Sequence, residues 1–323
     1  MRASRLFARS STTLAIAEVR TLLVTGHTGF VGQMVDRVLQ AKPGAPDWQL
    51  ACLPEGFDIR SPELVRRLAD SHADAVLHLA ALTSVAESFQ EPEYFFDVNF
   101  HGTWNLLRAL RTMGFDGRLL FVSSGDCYGE VTPDELPVQE THPLRPRSPY
   151  AVSKVAAEAL CQQWAQCEGL DVVLTRSFNH LGPGQDAKFA IAGFARQLAL
   201  IARGAQPPRI VTGDLDITRD FTDVRDVVTA YLALLDGGQR GEPYNVGSGK
   251  ETRVGDLLSE MLSIAGITAE LVIDPSRVRA GEQRRAAADV RKIAQDTGWR
   301  ASIPLSLTLA DMLNDWNDRI SRG

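Results

Sequence analysis

The chain has 323 residues, 44% of them apolar and 23% charged, and a formal net charge of -6. That length supports one large α/β domain with a smaller one appended, and the composition is that of a folded globular protein. The acidic balance offers no basic surplus to a phosphate backbone, no apolar run reaches the roughly 18 residues of a membrane span, and Cys52, Cys127, Cys161 and Cys167 form no CxxC pair, so no nucleic acid, no membrane and no metal is expected.

The opening MRASRLFARSSTTLAIAEVR is basic and Ser/Thr-rich, with no acid before Glu18. This composition suits a targeting peptide, a disordered tail or a start placed too early; residues 1–19 are expected to be a disordered tail. From Arg20 onward short β-branched runs alternate with helical patterns, the signature of βαβ units around a parallel sheet. TLLVT (21–25) predicts the first strand. WQLACL (48–53), DAVLHLAA (74–81), RLLFVS (118–123) and DVVLTRS (171–177) predict the next four, each nearly continuously apolar as burial on both faces demands. Helical patterns over 30–41, 61–70, 92–113 and 149–168 lie between them. Beyond 178 the spacing is irregular, with Gly/Pro-rich loops and helical stretches near 189–203, 224–236, 254–265 and 306–319.

GHTGFVG (26–32) follows the first strand directly and opens the first helix, the context of a dinucleotide-binding turn. Gly26 permits the tight turn, Gly29 lets backbone approach a pyrophosphate and Gly32 lets the helix pack on the strand, with Thr28, Phe30 and Val31 between them. The fold class is therefore α/β: a Rossmann-type doubly wound parallel sheet over 20–178 with a smaller C-terminal α/β substrate domain over 179–323, of which 210–250 return to the first domain. An acid for the adenosine ribose is expected about 20 residues after the turn. Glu55 in LPEG can serve, but no Asp ends that strand and no Arg follows at once for a 2'-phosphate, so NADP(H) and NAD(H) both stand. Asp58-Ile59 either holds the adenine amine or leads a helix at Ser61-Pro62.

SPYAVSKVAAE places Ser148 as an N-cap and Pro149 in the first helical turn, which sets Tyr150 and Lys154 at i and i+4 on one face. An ammonium beside a phenol favours the phenolate, so the Tyr150 pKa is expected to fall from about 10 toward neutrality. Such a phenol exchanges a proton with a carbonyl being reduced or an alcohol being oxidised.

Taken together, GHTGFVG, HLAALTSV (78–85), DVNFHGTWNLLRA (97–109), SSGDCYG (123–129), YAVSK (150–154), RSFNHLGPGQ (176–185) and RDFTDVRDV (219–227) resemble the extended short-chain dehydrogenase/reductase family that modifies nucleotide sugars. The resemblance implies a catalytic set of Ser124, Tyr150 and Lys154, with Ser124 bonded to the sugar oxygen that Tyr150 protonates. It also implies a cofactor cleft lined by Leu79, Ala80, Ala81 and Phe178, and Asn99 steadying the sheet and helix around it. On the substrate side it implies that Asn179, Arg219 and Arg279 meet the diphosphate and Glu282 the nucleotide ribose. Ala280 replaces the proline usual in that last segment. The helices over 92–113 and 149–168 would pair with a second subunit as a four-helix bundle, giving a cytoplasmic homodimer.

Dehydratases of that family carry acids just after the active-site Ser/Thr. Here those places hold Gly125, which has no functional group, and Asp126, one methylene shorter than glutamate. A base must come within about 3 Å of its proton, so Asp126 reads as a turn acid and 4,6-dehydration is disfavoured. RSFNHLGPGQ with RDFTDV is most similar to the family's reductases, which implies NAD(P)H-dependent reduction of the C4 ketone of GDP-4-keto-6-deoxy-D-mannose to GDP-D-rhamnose. The rival readings are a GDP-mannose 4,6-dehydratase, a nucleotide-sugar 4-epimerase, and a non-catalytic NADP(H)-binding protein; a pure binder has no need of Tyr150 as a proton donor.

Overall fold

The computed structural model describes residues 19–41, 48–277 and 283–322. Residues 1–18 of the expected tail, and Arg279 and Glu282 of the expected substrate set, lie outside the described residues. The five apolar runs form β1 (Arg20–Thr25), β2 (Trp48–Cys52), β3 (Ala75–His78), β4 (Arg118–Ser124) and β5 (Asp171–Ser177). Six further strands follow: β6 (Asn179–Leu181), β7 (Arg209–Thr212), β8 (Thr218–Asp223), β9 (Pro243–Val246), β10 (Glu251–Arg253) and β11 (Glu270–Ile273). The helices are α1 (Phe30–Ala41), α2 (Leu64–Ser71), α3 (Val85–Ser88), α4 (Pro92–Phe96), α5 (Gly102–Thr112) and α6 (Pro149–Gln163), then α7 (Ala190–Ala202), α8 (Val224–Gly237), α9 (Val254–Ala265), α10 (Arg291–Thr297) and α11 (Leu305–Arg322).

The main sheet runs β2-β1-β3-β4-β5-β9 with every pair parallel. Alternation along β1 sends Leu22 and Val24 to the face covered by α1 and α8, where they meet Val35, Val228 and Tyr231, and Leu23 to the face covered by α2, α5 and α6, where it meets Leu68, Leu107 and Ala157. Each fully buried aliphatic side chain in these layers contributes about 1.5–3 kcal/mol, which fixes the strand ends that carry the site. Strand order reverses between β1 and β3, whose last residues Thr25 and His78 lie side by side, and a crevice opens beyond them. A third core, built by α7, α9 and α11 around Phe194, Leu258 and Leu309, backs the small sheets β10-β8-β6 and β11-β7.

Two helical expectations need correction. The stretch 92–113 is not one α-helix: a π-turn at Asp97–His101 separates α4 from α5, and α6 likewise ends in a π-turn at Trp164–Glu168. The first π-turn turns Asn99 inward, where its Oδ1 accepts from Leu82 N (2.8 Å) and its Nδ2 donates to Leu82 O (3.0 Å) and Ser153 Oγ (3.0 Å). The third strand is shorter than its apolar run because Leu79–Ala81 leaves the sheet, held by Thr25 through Leu79 N to Thr25 O (3.2 Å) and Ala80 N to Thr25 Oγ1 (3.2 Å).

Candidate active site

The glycine-rich turn closes with Gly29 N donating to Gly26 O at 3.0 Å, and Gln33 Nε2 donates to Thr28 O at 2.8 Å. Gly26 has φ 72°, and a Cβ there would lie 2.7 Å from Ala80 N, so the turn and the Leu79–Ala81 segment approach as only glycine allows. Thr28 and Gly29 are exposed, Phe30 and Val31 half-buried and Gly32 buried, so the amides opening α1 face the crevice and suit a pyrophosphate. Beyond β2, Ile59 is buried and Asp58 exposed. Arg60 grips Asp58 through Nε (3.0 Å to each oxygen) and Nη2 (2.6 Å) and also pairs with Asp97, holding the Asp58 carboxyl below the usual carboxylate range. Glu55 is exposed on the loop between.

Ser124 ends β4 and caps the 3-10 turn Gly125–Tyr128, its Oγ accepting from Asp126 N at 3.2 Å. Ser148 caps α6, accepting from Ala151 N at 3.1 Å, with Pro149 in the first turn. Ser124, Tyr150 and Lys154 are buried at 9%, 7% and 5% exposure, and Ser124 is among the groups that act on the Tyr150 phenol. Because the Asp126 amide occupies Ser124 Oγ as acceptor, the single Ser124 O–H remains to donate.

The expected depression of the Tyr150 pKa is overturned. Burial first and the Asp126 charge second push the phenol above its usual range, with Ser124 opposing. Lys154 is a helical turn away, but its ammonium sits 4.7 Å from the Phe121 ring centroid, and burial pulls it down to about 8. Burial thus favours the protonated phenol.

Behind the site, His78 Nδ1 meets Thr25 Oγ1 at 2.7 Å and Nε2 meets Thr103 Oγ1 at 3.1 Å. Thr103 donates its own proton to Asn99 O (2.6 Å), so His78 donates from Nε2 and accepts at Nδ1. Burial, then the Lys154 charge, pulls His78 down to about 3, leaving it neutral. Asn99 continues the chain through Ser153, whose Oγ donates to Tyr150 O at 2.7 Å. HLAA contained this histidine, but only the strand pairing assigns its partners.

Phe178 is buried with its ring against Gly125, where an added Cβ would lie 3.1 Å away. Across the crevice Asn179 is exposed on β6, and half-buried Arg219 on β8 donates from Nη1 to Thr218 O at 2.8 Å. Asp220 beside it takes the amides of Ser248 (2.7 Å), Gly249 (2.9 Å) and Ala288 (3.0 Å), fixing the loops around this face. His180, unnoticed in the sequence, stacks on Phe30 of the glycine-rich turn (6.0 Å between centroids, 11° between planes) and links the two sides of the crevice.

A family model for GDP-mannose 4,6 dehydratase matches residues 55–312. The chain is 44% identical to the GDP-6-deoxy-D-mannose reductase of Pseudomonas aeruginosa, over 93% of this chain and 98% of that protein. It is 31% identical to a putative UDP-glucose 4-epimerase of Methanocaldococcus jannaschii, over 91% and 97%. Among solved structures, RMD from Pseudomonas aeruginosa complexed with NADPH matches with a TM-score of 0.88 at 43% identity, covering 93% of this chain and 98% of that one. With the parallel sheet, the glycine-rich turn at its switch point and the Ser124, Tyr150 and Lys154 set, these matches show that the chain belongs to the GDP-mannose 4,6-dehydratase family of extended short-chain dehydrogenases/reductases, which are NAD(P)-dependent oxidoreductases of nucleotide sugars.

Proposed function

We propose that this protein reduces the C4 ketone of GDP-4-keto-6-deoxy-D-mannose to GDP-D-rhamnose, using NADPH or NADH. The observation that carries the reading is Gly125, at a place where dehydratases of this family carry an acid: it has no functional group, and a Cβ there would lie 3.1 Å from the Phe178 ring, so an acidic side chain would crowd that ring. The relative that is 44% identical over nearly its whole length is named for GDP-6-deoxy-D-mannose, which agrees.

Residues Gly26–Gly32, Leu79–Ala81, Lys154 and Phe178 would hold the dinucleotide, with Asp58 and Ile59 at its adenine; the glycine-only approach of Gly26 to Ala80 fits such a group. When bound, NAD(P)H supplies the hydride that reduces C4. Ser124 donates its O–H to O4 and polarises the carbonyl. Tyr150 passes its proton to O4 as negative charge develops there. Ser124 and the Lys154 ammonium then stabilise the phenolate left on Tyr150 until solvent reprotonates it. Asn179 and Arg219, with Arg279 and Glu282, take the diphosphate and the nucleotide ribose. The six-stranded sheet with α8 and β9 forms the cofactor domain, and most of the rest of 179–323 the substrate domain.

The reading includes a cytoplasmic homodimer. Tyr94, Trp104 and Val152 are 45%, 45% and 39% exposed on α4, α5 and α6, an apolar face suited to a second copy, and all four cysteines are free thiols. No helix of the described residues is long and apolar enough to cross a membrane. NMR identification of the sugar made from GDP-4-keto-6-deoxy-D-mannose tests the activity: a D-rhamnosyl product supports it, and the C4 epimer overturns it.

A further inference from the structure

Glu158 and Arg176 are buried charges that the reduction leaves without a role. Glu158 lies on α6 one turn beyond Lys154, on the same face, and is 1% exposed; Arg176 on β5 is 4% exposed. The guanidinium grips the carboxylate as a fork, Nε donating to Oε1 (3.0 Å) and Oε2 (3.3 Å) and Nη2 to Oε1 (2.5 Å). Its Nη1 donates to Glu140 O (2.7 Å) and Tyr128 Oη (3.1 Å), and Tyr128 donates to Asn245 Oδ1 (2.6 Å). Arg176 is thereby fixed from two further elements.

Lys154 is faced by Tyr150, Glu158 and Cys161 from its own helix, by Cys127 from the turn after β4, by His78 from β3 and by the Phe121 ring from β4. Burial pushes the Cys127 thiol up to about 11 and Cys161 up as well, the Tyr150 phenol is protonated, and His78 is neutral. Glu158 is then the anion among the described groups that face the ammonium. Among the described residues no oxygen accepts a hydrogen bond from Lys154 Nζ, and both Glu158 oxygens are engaged by Arg176.

We propose that Arg176 is a positioning residue for Lys154: by occupying both oxygens of Glu158 it denies that carboxylate to the ammonium as a direct partner and leaves the N–H donors of Lys154 available to the cofactor ribose. The proposal rests on the reading of Lys154 as a cofactor-holding residue. Without Arg176, a carboxylate and an ammonium four residues apart on one helix face close into a direct pair, and the ammonium is drawn away from the cleft.

The test compares the full chain with Arg176→Met, Glu158→Gln, the double variant and Lys154→Met, following NADPH affinity by nicotinamide fluorescence, folding by thermal melting, and the pH profile of kcat/KM. Arg176→Met is expected to weaken NADPH binding about tenfold, and the double variant to recover it to within about threefold, the coupling expected of groups in one network. In Arg176→Met the alkaline limb of kcat/KM should also move to higher pH, because Lys154 gains the Glu158 carboxylate as a direct partner, and it should return in the double variant. A purely structural pair predicts the wild-type limb in folded Arg176→Met, and that result overturns the proposal, as does wild-type NADPH affinity in Arg176→Met. If Arg176→Met does not fold, Arg176→Gln, which cannot grip both Glu158 oxygens as a fork, is read in its place with the same two outcomes. NADPH affinity unchanged in Lys154→Met would remove the cofactor reading of Lys154 itself, whatever the Arg176 variants do.

Discussion

The main-chain amide of Asp126 donates to Ser124 Oγ at 3.2 Å, so the backbone of Asp126 is tied to the serine that ends β4. Its carboxylate is one of the charges that hold the Tyr150 phenol above its usual range. Asp126→Asn keeps the amide and the turn. Turnover of the keto sugar should stay within several-fold of wild type, and a loss of about 100-fold or more, the size of a lost acid or base, would show that the carboxylate takes part in the chemistry.

Tyr150→Phe removes the proton donor and leaves the edge packing of its ring on Phe95, at 6.4 Å between centroids, in place. Turnover is expected to fall by about 10²–10⁴. NADPH affinity, measured by fluorescence titration, should change little.

The pH dependence follows from Lys154. Burial holds its pKa below the ordinary lysine value, at about 8, and in the proposed mechanism the charged form is the one that holds the ribose and steadies the phenolate. The ammonium is fully present below about 8 and is lost as pH rises through it. A kcat/KM profile should accordingly be level around neutrality and decline on the alkaline side near pH 8. Tyr150, shifted upward, adds no limb below that point. A decline that begins only above the ordinary lysine range would contradict this assignment.

Elements with local causes were legible in the sequence. Ser148 and Pro149 start α6 through a cap and a fixed φ, both set by neighbours in the chain, and the glycine spacing after β1 reports a turn whose tightness is itself local. The π-turn at Asp97–His101 was not, because its cause is Asn99 reaching Leu82 and Ser153, contacts that exist only once α6 lies beside it. The direction of the Tyr150 shift was misread for a related reason: the i, i+4 spacing of Tyr150 and Lys154 is local, whereas burial and the approach of Asp126 come from the fold. Strands such as β6 and β10, three residues each, carry too few positions for a periodicity to register.

Trp104 is 45% exposed on α5, with Phe100 6.2 Å away in an edge contact, on the face proposed for a second subunit. Trp104→Glu places a charge there without touching the crevice. Light scattering should show a shift from dimer to monomer, and an unchanged mass would place the dimer contact elsewhere or remove it.

The central claim, reduction rather than dehydration, is tested most directly by nicotinamide absorbance with two substrates in parallel. With GDP-4-keto-6-deoxy-D-mannose, NADPH or NADH should be consumed in a one-to-one ratio with the 6-deoxyhexose formed, and with GDP-mannose neither cofactor use nor a 4-keto product should be seen. Conversion of GDP-mannose to its 4-keto-6-deoxy product without net cofactor use would contradict the account and make Asp126 the base.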